Sequence, residues 1–293
     1  KISLPDGDGT YALSISYGYP EWAINKIFSE YGREKGKEIV SAKKRGGTHV
    51  RTNGLIYSDE KFERDLENAG YKFEKTKTGY YVSMNPLLKK LFIEGRITYQ
   101  SLTSTYAALA LDVKDGQNVL DVCSAPGGKA IFVAEKNPTA NVVACDIHPH
   151  RVELIGAYAR RMHVKNVTPM LFDGTAFNKE WAGYFDRVLC DVPCSAMGVV
   201  KKQPDVLLNR NENDIAALKK VQYSILDNAK NYVKRGGLLV YSTCTIFKEE
   251  NDDNVEEFLK NNNDFEKYPS EFDGQYLPCD THDGFFIRRL RRK

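Results

Sequence analysis

The chain of 293 residues is 42% hydrophobic and 28% charged, with a formal net charge of +3. A chain of this size buries about 75% of its unfolded surface and suits one large domain with a smaller companion. Its composition excludes a disordered or fibrous chain, and no apolar stretch is long enough to span a bilayer, so no membrane partner is expected.

From the N-terminus, the chain starts at Lys1 without an initiator Met, and residues 1–19 show neither a secretory nor a transit pattern. It reads as a fragment or a processed chain. Pro20 precedes an amphipathic helix that puts Trp22, Ala23, Ile27 and Phe28 on one side. A basic stretch follows, with Arg33, Lys35, Lys37, Lys43, Lys44, Arg45 and Arg51 against Glu34 and Glu38, which fits a polyanion. A strand-like run at 49–52, a helix over 59–69 ended by Gly70, and two short runs at 71–75 and 80–84 separated by a hairpin loop complete a small α+β module. The module is assigned to residues 1–95.

After a helix over 101–111 the pattern becomes repeating strand and helix. Strands are expected at 118–122, 141–146, 167–172, 185–191 and 237–243, with helices at 127–136, 149–162 and 212–234. Five apolar strands joined by helices imply a mainly parallel, doubly wound α/β sheet over residues 96–293. Segments 265–268 and 284–290 supply edge strands. The acids between Glu249 and Glu257 open a helix ending near Lys260, where they suit the positive end of its dipole. The terminal Arg288-Arg-Leu-Arg-Arg-Lys293 is a second basic cluster.

Ligands of open α/β sheets sit at the carboxyl ends of the strands. There the chain places Asp121-Val-Cys-Ser-Ala-Pro-Gly-Gly-Lys129, a strand, a tight turn and a helix start. The sequence is neither a dinucleotide fingerprint nor a phosphate-binding loop. Asp146, 25 residues after Asp121, ends the second strand where an acid accepts both ribose hydroxyls, and Asp173 follows the third strand, placed for an adenine amino group. Three strand-end carboxylates and the Pro-Gly-Gly turn point to a nucleoside cofactor.

The fourth and fifth strands end in Asp191-Val-Pro-Cys194 and Tyr241-Ser-Thr-Cys244. Pro193 cannot donate to the ladder and turns Cys194 outward. The six cysteines include no Cys-x-x-Cys pair and no His at ligand spacing, so no metal is expected, and reduced thiols in a cytoplasmic protein are. Cys145 and Cys190, inside strands, read as small buried hydrophobes. Two thiols beside a nucleoside pocket suit chemistry on an electrophilic ring carbon: C5 of cytosine is too poor a nucleophile until a thiolate adds at C6. Asp191 then suits the N3 and N4 edge, and Lys129 orients or polarises the base. This chemistry alone leaves open which thiol attacks.

These motifs, with Gln203-Pro-Asp205 and Thr245-Ile-Phe-Lys-Glu-Glu-Asn251, resemble the RNA cytosine-5 methyltransferases of the Nop2/Sun family, over a span from Tyr17-Gly-Tyr-Pro-Glu-Trp22 to Asp283-Gly-Phe-Phe286. The resemblance implies a Rossmann-like, S-adenosylmethionine-dependent methyltransferase domain behind a small RNA-recognition-like domain. It implies Cys244 as nucleophile, Cys194 assisting release, and a donor site of Cys123, Ser124, Ala125, Pro126, Gly127, Gly128, Lys129, Asp146, Arg151, Asp173 and Asp191. The bacterial branch acting on small-subunit (16S) ribosomal RNA is the nearest in kind; its full-length members carry a further NusB-like domain, which is expected to be absent here. A monomer acting on RNA and not DNA is expected. Transfer RNA as substrate, and a non-catalytic RNA-binding assembly factor, are the alternatives. The chain departs from the family at Ser124, Ala196, Lys201-Lys202 and Gln100-Ser101; at 196, glycine is usual.

Overall fold

Local signals in the chain set the first elements. In the computed structural model, which describes residues 7, 9–43 and 46–293, Pro20 is the N-cap of a helix and the left-handed Gly18 ends the one before it. Lys44 and Arg45 of the basic stretch lie outside the described residues, as do residues 1–6. The first helices are α1 (Thr10–Tyr17), α2 (Glu21–Tyr31) and α3 (Arg33–Ser41). Then come β1 (Thr48–Thr52), α4 (Asp59–Asn68), β2 (Phe73–Lys75), β3 (Tyr80–Val82), α5 (Pro86–Ile93) and β4 (Ile97–Tyr99). Ser58 and Asn85 cap α4 and α5 through their side chains, each satisfying a backbone N–H that the helix leaves free.

The four short strands form an antiparallel sheet in the order β2-β3-β1-β4, so this sheet closes at Tyr99. Val50, Phe62, Leu66, Tyr80, Leu88 and Ile97 form its core. Helices α1–α3 do not share that core. Leu13, Tyr19, Ile24, Ile27 and Ile39 pack instead with Met197, Val200, Ile215, Ile246 and Phe247 of the larger unit.

The larger unit holds α6 (Leu102–Ala110), β5 (Asn118–Asp121), α7 (Gly128–Lys136), β6 (Asn141–Asp146), α8 (Pro149–Arg161), β7 (Val167–Leu171) and β8 (Phe185–Asp191). It continues with α9 (Glu212–Ala229), β9 (Val233–Thr243), α10 (Asp252–Asn261), β10 (Phe265–Lys267), β11 (Gly274–Tyr276) and β12 (Phe285–Arg292). The strand order is β10-β12-β9-β8-β5-β6-β7, with β11 on β12. Strands β5 to β9 are parallel and β12 is antiparallel to β9. Period-two alternation sends Val119 to the face covered by α6, α7 and α8, and Leu120 to the face covered by α9 and α10. The order reverses between β5 and β8, which places a ligand crevice at their carboxyl ends.

Three expectations need correction. The helix expected over 212–234 stops at Ala229, because Val233 already pairs with Phe185 as the first residue of β9. The basic C-terminus is a strand within the sheet: Arg288 pairs with Asp252, Arg291 with Glu266 and Arg292 with Asp264, while Arg289 donates to the carbonyls of Tyr268 and Pro269. Arg51, read as part of a polyanion face, is only 1% exposed; it pairs with Glu135, donates to Gln100 and stacks on Phe132. With Asn53 donating to the Met162 carbonyl at 2.7 Å, it fastens the small sheet to the large one. Removing one partner of such a buried pair costs about 3–5 kcal/mol.

Candidate active site

A cavity of about 370 Å³ opens at the carboxyl ends of the parallel strands. Of the residues expected at a donor site, Cys123, Ala125, Asp146, Arg151, Asp173 and Asp191 line it, together with both Cys194 and Cys244. Ser124, Pro126, Gly127, Gly128 and Lys129 do not line it. Gly127 has φ +106°, and a Cβ there would lie 3.3 Å from Ile155, so its freedom serves the packing of the turn against α8. A Cβ on Gly128 would meet the side chain of Gln100. Apolar walls come from Ile147, Phe172, Val221 and Ile225, which the sequence reading passed over. The adjacency of Ile147 to Asp146 is the one local signal for them.

The acids differ in what they hold. Asp146 accepts from the His148 N–H at 3.1 Å and pairs with Arg151, which also donates to the Ala125 carbonyl. Asp173 accepts from both the Thr175 N–H and the Thr175 hydroxyl with Oδ1. Asp121 is buried, and neither carboxylate oxygen accepts a well-formed hydrogen bond from the described residues. Burial first, then the charge of Asp191, pushes its carboxyl up to about 7, although Lys129 works in the other direction. It entered the sequence reading only as a strand end; its orphaned oxygens are what the fold adds.

Lys129 reaches Asp191 at 2.5 Å, and Ser242 donates to the other Asp191 oxygen at 2.7 Å. Burial opposes the ammonium charge, but Asp191 and Asp121 outweigh it and raise the Lys129 pKa above its ordinary value. The site therefore keeps a fixed cation among its carboxylates.

The two thiols are free, with Sγ atoms 3.3 Å apart. Register explains the meeting: β8 and β9 are neighbours in parallel, with Asp191 opposite Ser242, so the residues following each strand emerge side by side. Cys194 is 8% exposed, and its thiol is pushed well up by the hydrogen bond with Cys244, then by burial, then by the charge of Glu250. Cys145 and Cys190 are fully buried in the core. Beyond Cys194 the chain bends sharply. Ala196 has φ +62°, and Gly198 donates to the Cys244 carbonyl at 2.9 Å where a Cβ would collide with that same oxygen.

A left-handed conformation costs an L-residue about 1–2 kcal/mol. Ala196→Gly is expected to raise stability by about 1 kcal/mol, less the extra entropy glycine gives the unfolded chain. A urea midpoint shifted upward at constant m is the check; an unchanged or lower midpoint means the strain is absent.

Residues 108–291, from within α6 to within β12, match the family model for the 16S rRNA methyltransferases RsmB/F. The chain belongs to the RsmB/F family. It is 32% identical over 301 residues to ribosomal RNA small subunit methyltransferase B of Pasteurella multocida, an alignment covering 94% of this chain and 65% of that relative. The chain thus spans just under two thirds of that relative's length. The crystal structure of PH0851 superposes with a TM-score of 0.91 at 27% identity, covering 100% of this chain and 70% of that one. A methyltransferase homolog protein from Pyrococcus horikoshii gives 0.82 at 25% identity, covering 97% and 99%. The large sheet is the Rossmann-like methyltransferase fold, and the RsmB/F match contains every cavity residue named above.

Proposed function

We propose that the chain transfers a methyl group from S-adenosylmethionine to C5 of a cytosine in RNA, with small-subunit (16S) ribosomal RNA as the substrate. The observation that carries this is the pair of free thiols at 3.3 Å, on adjacent strand ends, in the wall of a cavity that also presents Asp146 and Asp173. A single buried thiol has a bland explanation as a small hydrophobe; two in contact beside a nucleoside-sized cavity do not.

The residues suit the cofactor. Asp146 would hold the ribose hydroxyls and Asp173 an adenine amino group, while Asp121, buried and not itself lining the cavity, would favour a ligand ammonium through its charge. When bound, S-adenosylmethionine supplies an electrophilic methyl group. The chain's own chemistry is done by the thiols. The Cys244 thiolate adds to C6, which makes C5 enamine-like and nucleophilic. Asp191, clamped by Lys129 and Ser242, holds the N3 and N4 edge. After transfer a base takes the C5 proton and the Cys244–C6 bond breaks. Cys194, kept as a neutral thiol, donates to the departing Cys244 sulfur and eases its release. The four-stranded sheet and its helices serve as the module that holds the RNA.

Incubating the protein with methyl-labelled S-adenosylmethionine and small-subunit ribosomal RNA, with transfer RNA as competitor, tests the reading. Label in 5-methylcytidine from the ribosomal RNA is expected. Label only in transfer RNA transfers the substrate to that class, and no labelled cytidine in either overturns the enzyme.

The state of Asp121 adds a pH dependence. A carboxyl raised from 3.8 to about 7 in the fold contributes stability below pH 3.8 that is lost as pH rises through about 7. A ligand ammonium reverses the sign, because it binds the ionised form. Cofactor affinity is therefore expected to increase as pH rises through about 7, and Asp121→Asn to flatten that rise. Calorimetric titration across the interval is the measurement, and a flat profile for the unmodified protein removes Asp121 from the site.

A further inference from the structure

Behind the thiols lies a buried polar cluster that does not touch the cavity. Glu250, in the short turn Lys248–Glu250, is 0% exposed, as are Ser195, Gln222 and Thr245. Its Oε1 accepts from the Ser195 backbone N–H at 2.8 Å and from the Gln222 amide at 2.9 Å. Its Oε2 accepts from the Ser195 hydroxyl at 2.5 Å. That hydroxyl also meets the Thr245 hydroxyl at 2.7 Å, and Gln222 donates to the Pro193 carbonyl at 3.0 Å. Residues 193 and 195 flank Cys194, and residue 245 follows Cys244. One carboxylate thus holds the chain on both sides of the first thiol and reaches the chain beside the second.

Burying a carboxylate is costly unless its oxygens are satisfied. Here three donors converge on it and, among the described residues, no cation does, so hydrogen bonds alone offset a burial that pushes its carboxyl above the usual range. We propose that Glu250 is the positioning residue of the dithiol, fixing the loops after β8 and β9 so that Cys194 and Cys244 stay in contact. The inference rests on the reading of these thiols given above. The same carboxylate also opposes ionisation of Cys194. Ser195, Gln222, Thr245 and Glu250 do not line the cavity that Asp146 and Asp173 line, so loss of the cluster should separate thiol geometry from cofactor binding.

The test reads thiol geometry directly. Dibromobimane fluoresces once it has bridged two thiols, and the Cys279→Ser background removes the exposed cysteine. Glu250→Gln keeps the volume but turns an acceptor into a donor facing donors; Ser195→Ala cuts the link to Thr245 while leaving the carboxylate in place. Bridging is expected to slow by about tenfold or more in Glu250→Gln, and kcat for RNA methylation to fall by about 100-fold, with KM and cofactor affinity within about threefold. A smaller slowing of bridging is expected in Ser195→Ala, which also serves if Glu250→Gln does not fold. Bridging at the unmodified rate in both folded variants overturns the proposal, as does a loss of kcat matched by an equal loss of cofactor affinity. Bridging needs neither RNA nor cofactor. A protein that bridges rapidly but methylates nothing therefore overturns the enzyme, while the Glu250 comparison still decides the positioning.

Discussion

Cys244→Ala is expected to lower methyl transfer by about 10⁴-fold or more, whereas Cys194→Ala is expected to trap the protein on its RNA. The asymmetry follows from what each thiol does, not from where it sits, since the two sulfurs are only 3.3 Å apart. Without Cys244 no bond to C6 forms, and C5 stays a weak nucleophile. Without Cys194 the addition and the transfer still proceed, but the sulfur leaving C6 has no S–H to stabilise it. A denaturing gel of Cys194→Ala with S-adenosylmethionine and RNA should show a slow-migrating adduct, absent from the double variant with Cys244→Ala. Equal, mild losses in both single variants would return the thiols to the core as packing residues. An adduct in Cys244→Ala alone would exchange the roles.

Lys129→Met is expected to lower transfer by about 10²- to 10³-fold, the scale for removing a preorganised charge from a desolvated site. The ammonium reaches Asp191 at 2.5 Å and also depresses the carboxyl of Asp121, which even so stands at about 7. Its loss leaves the buried Asp121 and the half-buried Asp191 without their cation. Among the described residues Asp191 then keeps the Ser242 hydroxyl alone, so the proposed hold on the base edge should loosen, and Asp121 should ionise at higher pH. Single-turnover transfer measures the first effect. The second appears in the cofactor titration as an upward move of the pH at which binding tightens, and a profile unmoved by the substitution separates Lys129 from Asp121.

Much of this was written locally. Four of the five parallel strands appear as apolar runs because both of their faces are covered, while β7 lies half-exposed at the edge, and the acids and thiols fall at strand ends where the crevice must lie. Helix ends were less legible. Tyr232 and Val233 continue the helical pattern of α9 without a breaker, and only the pairing of Val233 with Phe185 stops it. The apolar side of α2 shows that the helix is covered but not by what; Phe247, more than two hundred residues on, belongs to that cover. Charge was the hardest to place. Glu250 lies in a run of acids read as helix-start residues, a reading that fits Asp252 and Asp253 in the first turn of α10. Nothing local distinguishes Glu250 from them, because its partners come from the loop after β8 and from α9. Arg51 was misplaced for the same reason, since Glu135 is 84 residues away.

The antiparallel pairing of β12 with β9 bears on how this protein fails. Residues 237–243 of β9 are buried without interruption, and six of its residues take partners from β12. An event that peels β12 away, such as a proteolytic cut in the loop before it, turns the strand leading to Cys244 into a long, apolar sheet edge. Such an edge is a template for pairing with other chains. Damage at the C-terminal strand therefore shows itself as insolubility rather than as a soluble, inactive protein.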